Sequence, residues 1–395
     1  MDALDRIAAP WYAALATMIG EVLPFDAHTH VGVNDPDGYR QTPAELLAAL
    51  EPIDASAVVF PMHEPAGYSE PNDFALATAA ASERLAAYCR VDPFANAVGE
   101  ARRCLNSGAS GIKLHPRAEG FGLDHPAVSG LFALAHERSL PVLIHAGRGI
   151  PALGEHAVSL AGEFPQARVI LAHAAVSDLA WIWRAAAAHR NIFLDTAWWN
   201  PADLSALFGL VPASRILWAS DSPYGRPSLS FAMHMRYALE AGVPAEAIGL
   251  IGRRNMELIL AGDGPAEGPP PPGLAANGEP IAARHDPLLA RISSHLSSSI
   301  TAIASGGDPT EALSLARLAC AVGDAPHADV CAAVLELLDH ADALLDSRSD
   351  DRSWPLGAQP ILFAICAART PSVPLPELPD APPPTRAEAE RRESG

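Results

Sequence analysis

The sequence predicts an α/β fold in which a TIM-like (β/α)8 barrel precedes a C-terminal helical module. Between residues 22 and 260, eight short runs of apolar or β-branched residues alternate with Ala- and Leu-rich stretches of helical periodicity. A segment rich in Pro and Gly follows, and apolar residues at helical spacing return after it. The 395 residues leave room for a barrel of about 250 residues and a smaller unit. A doubly wound parallel sheet is the alternative that the same alternation allows.

The predicted strands are short and largely apolar, as expected of parallel strands that are buried on both faces. They span residues 22–27, 57–61, 87–91, 111–115, 142–146, 168–173, 191–196 and 215–220. Helices are predicted between successive strands, for example at 43–50, 72–85, 127–138, 178–188 and 201–210, and two further helices, 231–241 and 253–260, complete the barrel wall.

The chain divides into four predicted regions. Residues 1–262 form the barrel, and residues 263–284, which contain Gly-Pro-Pro-Pro-Pro-Gly, form a linker. Residues 285–370 form a small helical module, and residues 371–395, rich in Pro and charge, are expected to be disordered. The module has three open roles: it could cover the barrel mouth, form a homodimer interface, or bind a partner protein.

Composition narrows the class of protein. Apolar residues make up 49% and charged residues 18%, a balance typical of a globular chain with a large core. The net charge of −19 argues against nucleic acid and anionic membranes as partners, so a small-molecule substrate is expected. No basic leader opens the chain and no apolar run reaches about 20 residues, which predicts a cytoplasmic protein. The five cysteines lack CxxC spacing and are expected to be buried free thiols.

The strongest chemical signal is Asp26-Ala27-His28-Thr29-His30 at the end of the first predicted strand. Positions i and i+2 of a strand face the same way, so both imidazoles can point into the barrel mouth and bind one cation. Two surface histidines can share this spacing by chance. The position at a strand end favours a site, because TIM-barrel sites form at the C-terminal ends of strands.

Other ionisable residues end later strands at the same relative point. They are Lys113 and His115, His145, His173, and Asp221. A single histidine at such a position is usually a packed or capping residue. Several ionisable residues at matching strand ends, together with an HxH pair, are hard to explain by packing. Burying an ionisable group without a partner costs several kcal/mol of folding free energy.

Together these motifs resemble the amidohydrolase superfamily, in particular its amidohydrolase-related (amidohydrolase 2) group of hydrolases, lactonases and non-oxidative decarboxylases. The resemblance covers roughly residues 22–260. The motifs that carry it are Asp-Ala-His-Thr-His at 26–30, Gly-Ile-Lys-Leu-His-Pro at 111–116, Val-Leu-Ile-His-Ala-Gly at 142–147, Ile-Leu-Ala-His at 170–173 and Ala-Ser-Asp-Ser-Pro-Tyr-Gly at 219–225.

The resemblance implies one divalent metal ion on His28, His30, His145 and Asp221, with water in an open position. Three imidazoles and a carboxylate suit Zn²⁺, and Mn²⁺, Fe²⁺ or Ni²⁺ could take similar ligands. Bound water would become the nucleophile. Asp221 could take its proton, and His173 is the candidate general acid or base. Lys113 either stays cationic and polarises the substrate or, carbamylated, bridges a second metal; the single-metal arrangement is favoured.

Loops after the strand ends suggest the substrate class. Arg117, Arg148 and Arg226 each follow a strand end, and Trp198, Trp199 and Tyr224 offer flat apolar walls. Guanidinium groups bind carboxylates in a bidentate fork, so a carboxylate-bearing substrate is expected.

Three functions remain open on the sequence. The first is a metal-dependent hydrolase that cleaves a C–N or C–O bond. The second is a non-oxidative decarboxylase of an aromatic or enol acid, which would use the same ligands. The third is a catalytically inactive barrel that acts as a binding scaffold; the intact set of ligand residues argues against it.

Overall fold

The computed structural model describes residues 3–282, 285–323, 326–345 and 356–379. Its eight strands lie in chain order in one parallel sheet, each paired with the next. They are β1 (Phe25–Val31), β2 (Ser56–Pro61), β3 (Leu85–Arg90), β4 (Gly111–Leu114), β5 (Pro141–Ile144), β6 (Arg168–Leu171), β7 (Ile192–Asp195) and β8 (Ile216–Leu217).

Hydrogen bonds between the last and the first strand close the sheet into a barrel. The Ala27 amide donates to the carbonyl of Trp218 at 3.0 Å, and the Asp221 amide donates to the carbonyl of His28 at 3.0 Å. A doubly wound sheet has two open edges and cannot make these bonds. The predicted (β/α)8 barrel is therefore confirmed.

Sixteen α-helices lie within the described residues. They are α1 (Ala3–Ile19), α2 (Pro43–Leu50), α3 (Ser69–Ala80), α4 (Ala97–Asn106), α5 (Pro116–Glu119), α6 (Pro126–Arg138), α7 (Leu153–Glu163), α8 (Leu179–Ala188), α9 (Pro201–Leu210), α10 (Pro227–Glu240), α11 (Ala245–Gly249), α12 (Asn255–Leu260), α13 (Pro287–Ala304), α14 (Thr310–Ala319), α15 (Ala328–Asp342) and α16 (Ala358–Arg369).

The strands are apolar because both of their faces are buried. Along β5, Leu143 packs inside the barrel, whereas Val142 and Ile144 pack outward under the helices. The same alternation of period two continues in β6, where Ile170 points inward. Met256 of α12 belongs to the interior cluster as well. These continuous apolar runs explain why all eight strands could be recognised in the sequence.

Several elements differ from the prediction. Strand β1 begins at Phe25 and runs to Val31, so the two histidines of the HxH motif lie within the strand instead of after it. Helix α1 and helix α16 were not predicted. Nothing in the barrel's alternating pattern indicates them, because both lie outside it.

The C-terminal helices pack on the barrel through α16. The ring of Phe363 in α16 stacks on Trp11 of α1 with 4.8 Å between ring centroids. The guanidinium of Arg236 in α10 donates to Thr370 Oγ1 at 2.9 Å and to the carbonyl of Val373 at 3.0 Å. Val373 and Pro374, in the segment that the sequence assigns to a disordered tail, thus lie against α10. Residues 380–395 of that predicted tail lie outside the described residues.

The predicted linker runs along the barrel without helix or strand as far as residue 282. The Gly273 amide donates to the carbonyl of Gly209 at the end of α9, at 2.8 Å. Residues 283 and 284 of the linker lie outside the described residues. All five cysteines are buried free thiols, as predicted. In the described part of the chain, no helix combines the length and the apolarity needed to cross a membrane.

Candidate active site

The two histidines of β1 are fully inside the barrel mouth, with 1% of His28 and 4% of His30 exposed. The Nδ1 of His28 lies 2.9 Å from Oδ2 of Asp195, the last residue of β7. Because a carboxylate only accepts, Nδ1 carries the proton and donates, and Nε2 keeps its lone pair. A buried carboxylate behind an imidazole is the arrangement that orients metal-binding histidines.

His30 and Asp221 complete a compact group. The Nε2 of His30 lies 3.2 Å from Oδ1 of Asp221, and the Nε2 of His28 lies 3.1 Å from the same oxygen. The Nδ1 of His30 faces the carbonyl of Pro61 at 3.4 Å, which places its ring proton on that side. Among the described residues, His28, His30 and Asp221 have ligand atoms that all lie within 4.8 Å of one another. We call these three residues the ligand group.

Burial favours the neutral form of both imidazoles in the ligand group. Burial lowers the pKa of His28 well below its usual value, and the nearby Lys113 lowers it further. Burial also lowers the pKa of His30, although the hydrogen bond and the charge of Asp221 oppose this shift. With the ring protons on Nδ1, two nitrogen lone pairs and one carboxylate oxygen therefore face one another, and the Nζ of Lys113, 3.2 Å from His28 Nε2, is in position to donate to that nitrogen. This arrangement is repulsive unless a cation lies among the three atoms.

The donor set fits a divalent metal ion. Two imidazole nitrogens and one carboxylate oxygen are the ligands of many catalytic zinc sites, in which a further position stays open. The same ligands also bind Fe²⁺ and Mn²⁺.

Lys113 of β4 is fully buried beside the ligand group. Its Nζ lies 3.2 Å from His28 Nε2 and 4.8 Å from the centre of the Phe60 ring. Burial lowers the pKa of Lys113 to about 7, while the charge of Asp221 acts in the opposite direction. The side chain thus points into the barrel mouth, as its strand parity predicts.

His145, the fourth predicted ligand, lies outside the ligand group. Its Nδ1 is 2.8 Å from Nε2 of His173, and its ring stacks on His115 with 3.8 Å between centroids. The Nδ1 of His173 faces the carbonyl of Ala197 at 2.7 Å and must donate to it, so His173 Nε2 accepts from His145 Nδ1. That leaves the lone pair of His145 on Nε2, a buried atom without a partner among the described residues.

The backbone is strained at two of the predicted site residues. Asp221 has a φ of 61° and His173 a φ of 57°, and Ala174 and Ala175 follow with φ of 55° and 50°. Residues with side chains rarely adopt the left-handed region, at a cost of about 1–3 kcal/mol each. Such strain persists where the surrounding structure holds a functional side chain in place.

Two acidic residues support the site, and the sequence analysis did not predict this role for either of them. Asp195 accepts from the backbone amides of His173 and Ala197 at 2.8 and 3.0 Å, in addition to His28. Asp26 accepts from the amides of His28 and Ser220 at 3.1 and 3.0 Å. Burial raises the pKa of Asp195 to about 6 and that of Asp26 to about 7. Asp195 ends an apolar strand, as several predicted site residues do, and this position could have identified it as a site residue.

The barrel mouth opens into a cavity of about 870 Å³, which we call the mouth cavity. All predicted substrate-binding residues line it: Arg117, Arg148, Trp198, Trp199, Tyr224 and Arg226, together with Asp221, His145 and His173 of the predicted site. The guanidinium of Arg148 lies over the Trp198 ring at 5.1 Å. Arg226 instead pairs with Asp5 at 3.1 Å. No carboxylate of the described residues forms an ion pair with Arg117 or Arg148.

Several solved structures share parts of this fold. The chain is 18% identical to 5-carboxyvanillate decarboxylase from Sphingomonas paucimobilis, over 61% of this chain and 99% of that one, with a TM-score of 0.48. It is 15% identical to 2,6-dihydroxybenzoate decarboxylase from Rhizobium, over 61% and 99%, with a TM-score of 0.48. It is 16% identical to 4-oxalomesaconate hydratase from Rhodopseudomonas palustris, over 60% and 96%, with a TM-score of 0.45. At these identities and TM-scores, the similarity does not indicate which reaction this chain catalyses.

No curated protein sequence matches this chain. The model of the amidohydrolase family matches residues 25–248, which is more than half of the chain. The matched stretch contains all eight strands and every predicted site residue. The chain therefore belongs to the amidohydrolase family of metal-dependent enzymes.

Proposed function

We propose that this enzyme is a metal-dependent hydrolase that cleaves a C–N or C–O bond in a small, carboxylate-bearing substrate. One observation carries the proposal: three unprotonated ligand atoms converge on one point beside an open cavity. The Nε2 atoms of His28 and His30 lie 3.1 and 3.2 Å from Oδ1 of Asp221. Asp221 also lines the mouth cavity, so the same point is accessible to a substrate.

We assign the ligand group to one divalent ion, with Zn²⁺ the first candidate and Mn²⁺ the second. The ion would supply Lewis-acid polarisation of the substrate and acidify a water molecule. His145 remains a predicted fourth ligand, and its unpartnered Nε2 lone pair supports that assignment. A second metal on a carbamylated Lys113 is the less favoured arrangement, because the Nζ of this residue already lies 3.2 Å from His28 Nε2.

Side chains around the ligand group supply the proton transfers of the proposed reaction. Hydrolysis adds the oxygen of water to the carbonyl carbon, breaks the C–N or C–O bond and moves a proton to the leaving atom. Asp221, with a fifth of its side chain exposed, is the proposed proton acceptor. His173 is proposed to act together with His145, whose Nδ1 donates to its Nε2, in orienting the substrate or passing on a proton, and Lys113 is proposed to stabilise negative charge on the reacting oxygen.

The walls of the mouth cavity support a substrate that carries a carboxylate. Arg117 and Arg148 are exposed side chains that line the cavity and form no ion pair within the described part of the chain. Trp198, which lies under Arg148, is a flat surface suited to a ring. We propose that these residues hold the substrate while the ligand group acts on its reactive bond.

Non-oxidative decarboxylation is the second candidate. The observation that favours it is the positive charge of Arg117 and Arg148 on a cavity with aromatic walls such as Trp198, because an aromatic acid presents a carboxylate on a flat ring. In this reaction the C–C bond to the carboxylate breaks, carbon dioxide leaves, and a proton replaces it on the ring carbon.

Metal analysis combined with a product-resolved substrate panel tests the proposal. Purified enzyme should contain about one divalent ion per chain, and His28→Ala should lose it, whereas His189→Ala on the barrel surface should keep it. Lactams, lactones and amides that carry a carboxylate should yield ring-opened acid or amine. Asp221→Asn should lower turnover by about 100-fold or more. Release of bicarbonate from aromatic acids, without hydrolysis of the other compounds, would select decarboxylation; absence of metal from the wild type would reject both.

A further inference from the structure

The mouth cavity extends beyond the barrel to the C-terminal helices. Gln359 and Leu362, in the first turns of α16, and Leu356, two residues before the helix, line the same cavity as Asp221 and His145. The spacing of three residues places Gln359 and Leu362 on one face of the helix. All three are half-buried, whereas neighbouring residues of α16 such as Phe363 are fully buried in the core. This part of the chain lies outside the residues that the family model matches.

Helix α16 is held from two sides and so forms a fixed wall. On the barrel side, Phe363 stacks on Trp11, and Cys366 lies against the carbonyl of Met233 in α10 at 3.9 Å. On the other side, α16 packs along α15, where a Cβ added to Gly357 would lie 2.5 Å from the carbonyl of Ala341. Close packing on both sides therefore holds the helix in place.

Between two leucines, Gln359 presents an amide to the cavity. Its side chain forms no hydrogen bond with any residue in the described ranges. Other polar side chains at this end of the cavity are engaged: Arg226 pairs with Asp5, and His234 lies 2.9 Å from the carbonyl of Trp198. The Gln359 amide is therefore available to a bound molecule as donor and acceptor.

The size of the cavity exceeds what a monocyclic acid fills. If each non-hydrogen atom occupies at most the share of one liquid water, about 30 Å³, the 870 Å³ cavity holds roughly 30 such atoms. A single aromatic ring with a carboxylate has about a third of that number. A molecule that fills the cavity from the ligand group to α16 must therefore be larger than one ring.

We infer that α16 forms the far wall of the substrate site and that Gln359 is a specificity-determining residue. It would hydrogen-bond the end of an elongated, carboxylate-bearing substrate whose middle section is apolar. This inference rests on the proposed function, since it takes the ligand group as the reacting end.

Calorimetric binding of three carboxylates to the full-length protein tests the inference. The probes are benzoate, biphenyl-4-carboxylate and 4′-carbamoylbiphenyl-4-carboxylate, each titrated into protein as purified and after zinc addition. Both two-ring acids should bind at least about tenfold more tightly than benzoate, because the second ring buries apolar area against α16. Gln359→Leu should raise the Kd of the amide-ended acid by about fivefold and leave biphenyl-4-carboxylate within twofold.

Two further variants control the result. Leu362→Trp shortens the cavity and should raise the Kd of both two-ring acids by about tenfold, with benzoate within twofold. Gln166→Leu, the same change on the exposed barrel surface, should alter none of the three. The inference is overturned if the two-ring acids bind no tighter than benzoate, or if Leu362→Trp weakens all three acids equally. These Kd values do not depend on turnover, so they separate this inference from the metal and product assays that test the proposed function.

Discussion

Replacing Asp195 with Asn should weaken metal binding without removing any atom of the ligand group. Two backbone amides, of His173 and Ala197, donate to Oδ1 of Asp195. In the variant, these two backbone amides keep the side-chain oxygen of the introduced asparagine at the position of Oδ1. The side-chain NH₂ group then takes the position of Oδ2 and faces His28 Nδ1. Because that group donates, Nδ1 must accept, and the ring proton moves to Nε2. The Nε2 lone pair that faces Asp221 is then lost.

The expected effect follows from the 2.9 Å bond between Asp195 and His28. A hydrogen bond to a charged group contributes about 1.5–3 kcal/mol, which corresponds to roughly 10- to 100-fold in affinity. Substituting the partner of a metal-binding histidine typically has an effect of the same size. Burial raises the pKa of Asp195 to about 6, so its charge is not a net source of stability. The metal-free variant should therefore remain folded.

Zinc affinity is measured by competition with a chelator at pH 7.5, in Asp195→Asn and in the matched surface variant Asp124→Asn. The surface variant should bind zinc like the wild type. Circular dichroism and urea unfolding of the metal-free proteins establish that each variant is folded. Wild-type zinc affinity in a folded Asp195→Asn protein would refute the tautomer argument.

Three further predictions concern other parts of the chain. Burial lowers the pKa of His234 from 6.5 to about 4, so its stabilising contribution is complete above pH 6.5 and is lost as the pH falls. Between pH 7.5 and pH 5, the free energy of unfolding should drop by about 2 kcal/mol more in wild type than in His234→Gln, measured with urea; parallel slopes would contradict this. Arg148→Glu should raise KM for a carboxylate substrate by about tenfold or more, whereas Arg184→Glu on α8 should not. Trp11→Ala removes a fully buried ring from Phe363 and should lower the free energy of unfolding by about 3–5 kcal/mol in urea titrations; a loss below 1 kcal/mol would show that α16 does not depend on this contact.

The barrel and the position of the candidate residues at its mouth were predictable because they follow from local patterns. Parallel strands buried on both faces read as short apolar runs, and all eight were recognised. The alternation of side chains along a strand predicted that His28 and His30 face the same way. Lys113, His173 and Asp221 were identified because each lies at the end of a predicted strand. Because the C-terminal ends of barrel strands meet at one mouth, these residues were expected to lie close together.

Contacts between distant residues decided the rest. Asp195 orients His28 from 167 positions away, and no local pattern encodes that bond. Parity sets the face of a side chain but not its rotamer, so the pairing of His145 with His173 could not be foreseen.

The sequence by itself determined the fold class and the kinds of groups at the mouth, since strand periodicity is a local property. Only the tertiary structure decided which imidazole nitrogens keep a lone pair, and that α16 borders the cavity. Both depend on hydrogen bonds and packing that form when residues far apart in the chain meet.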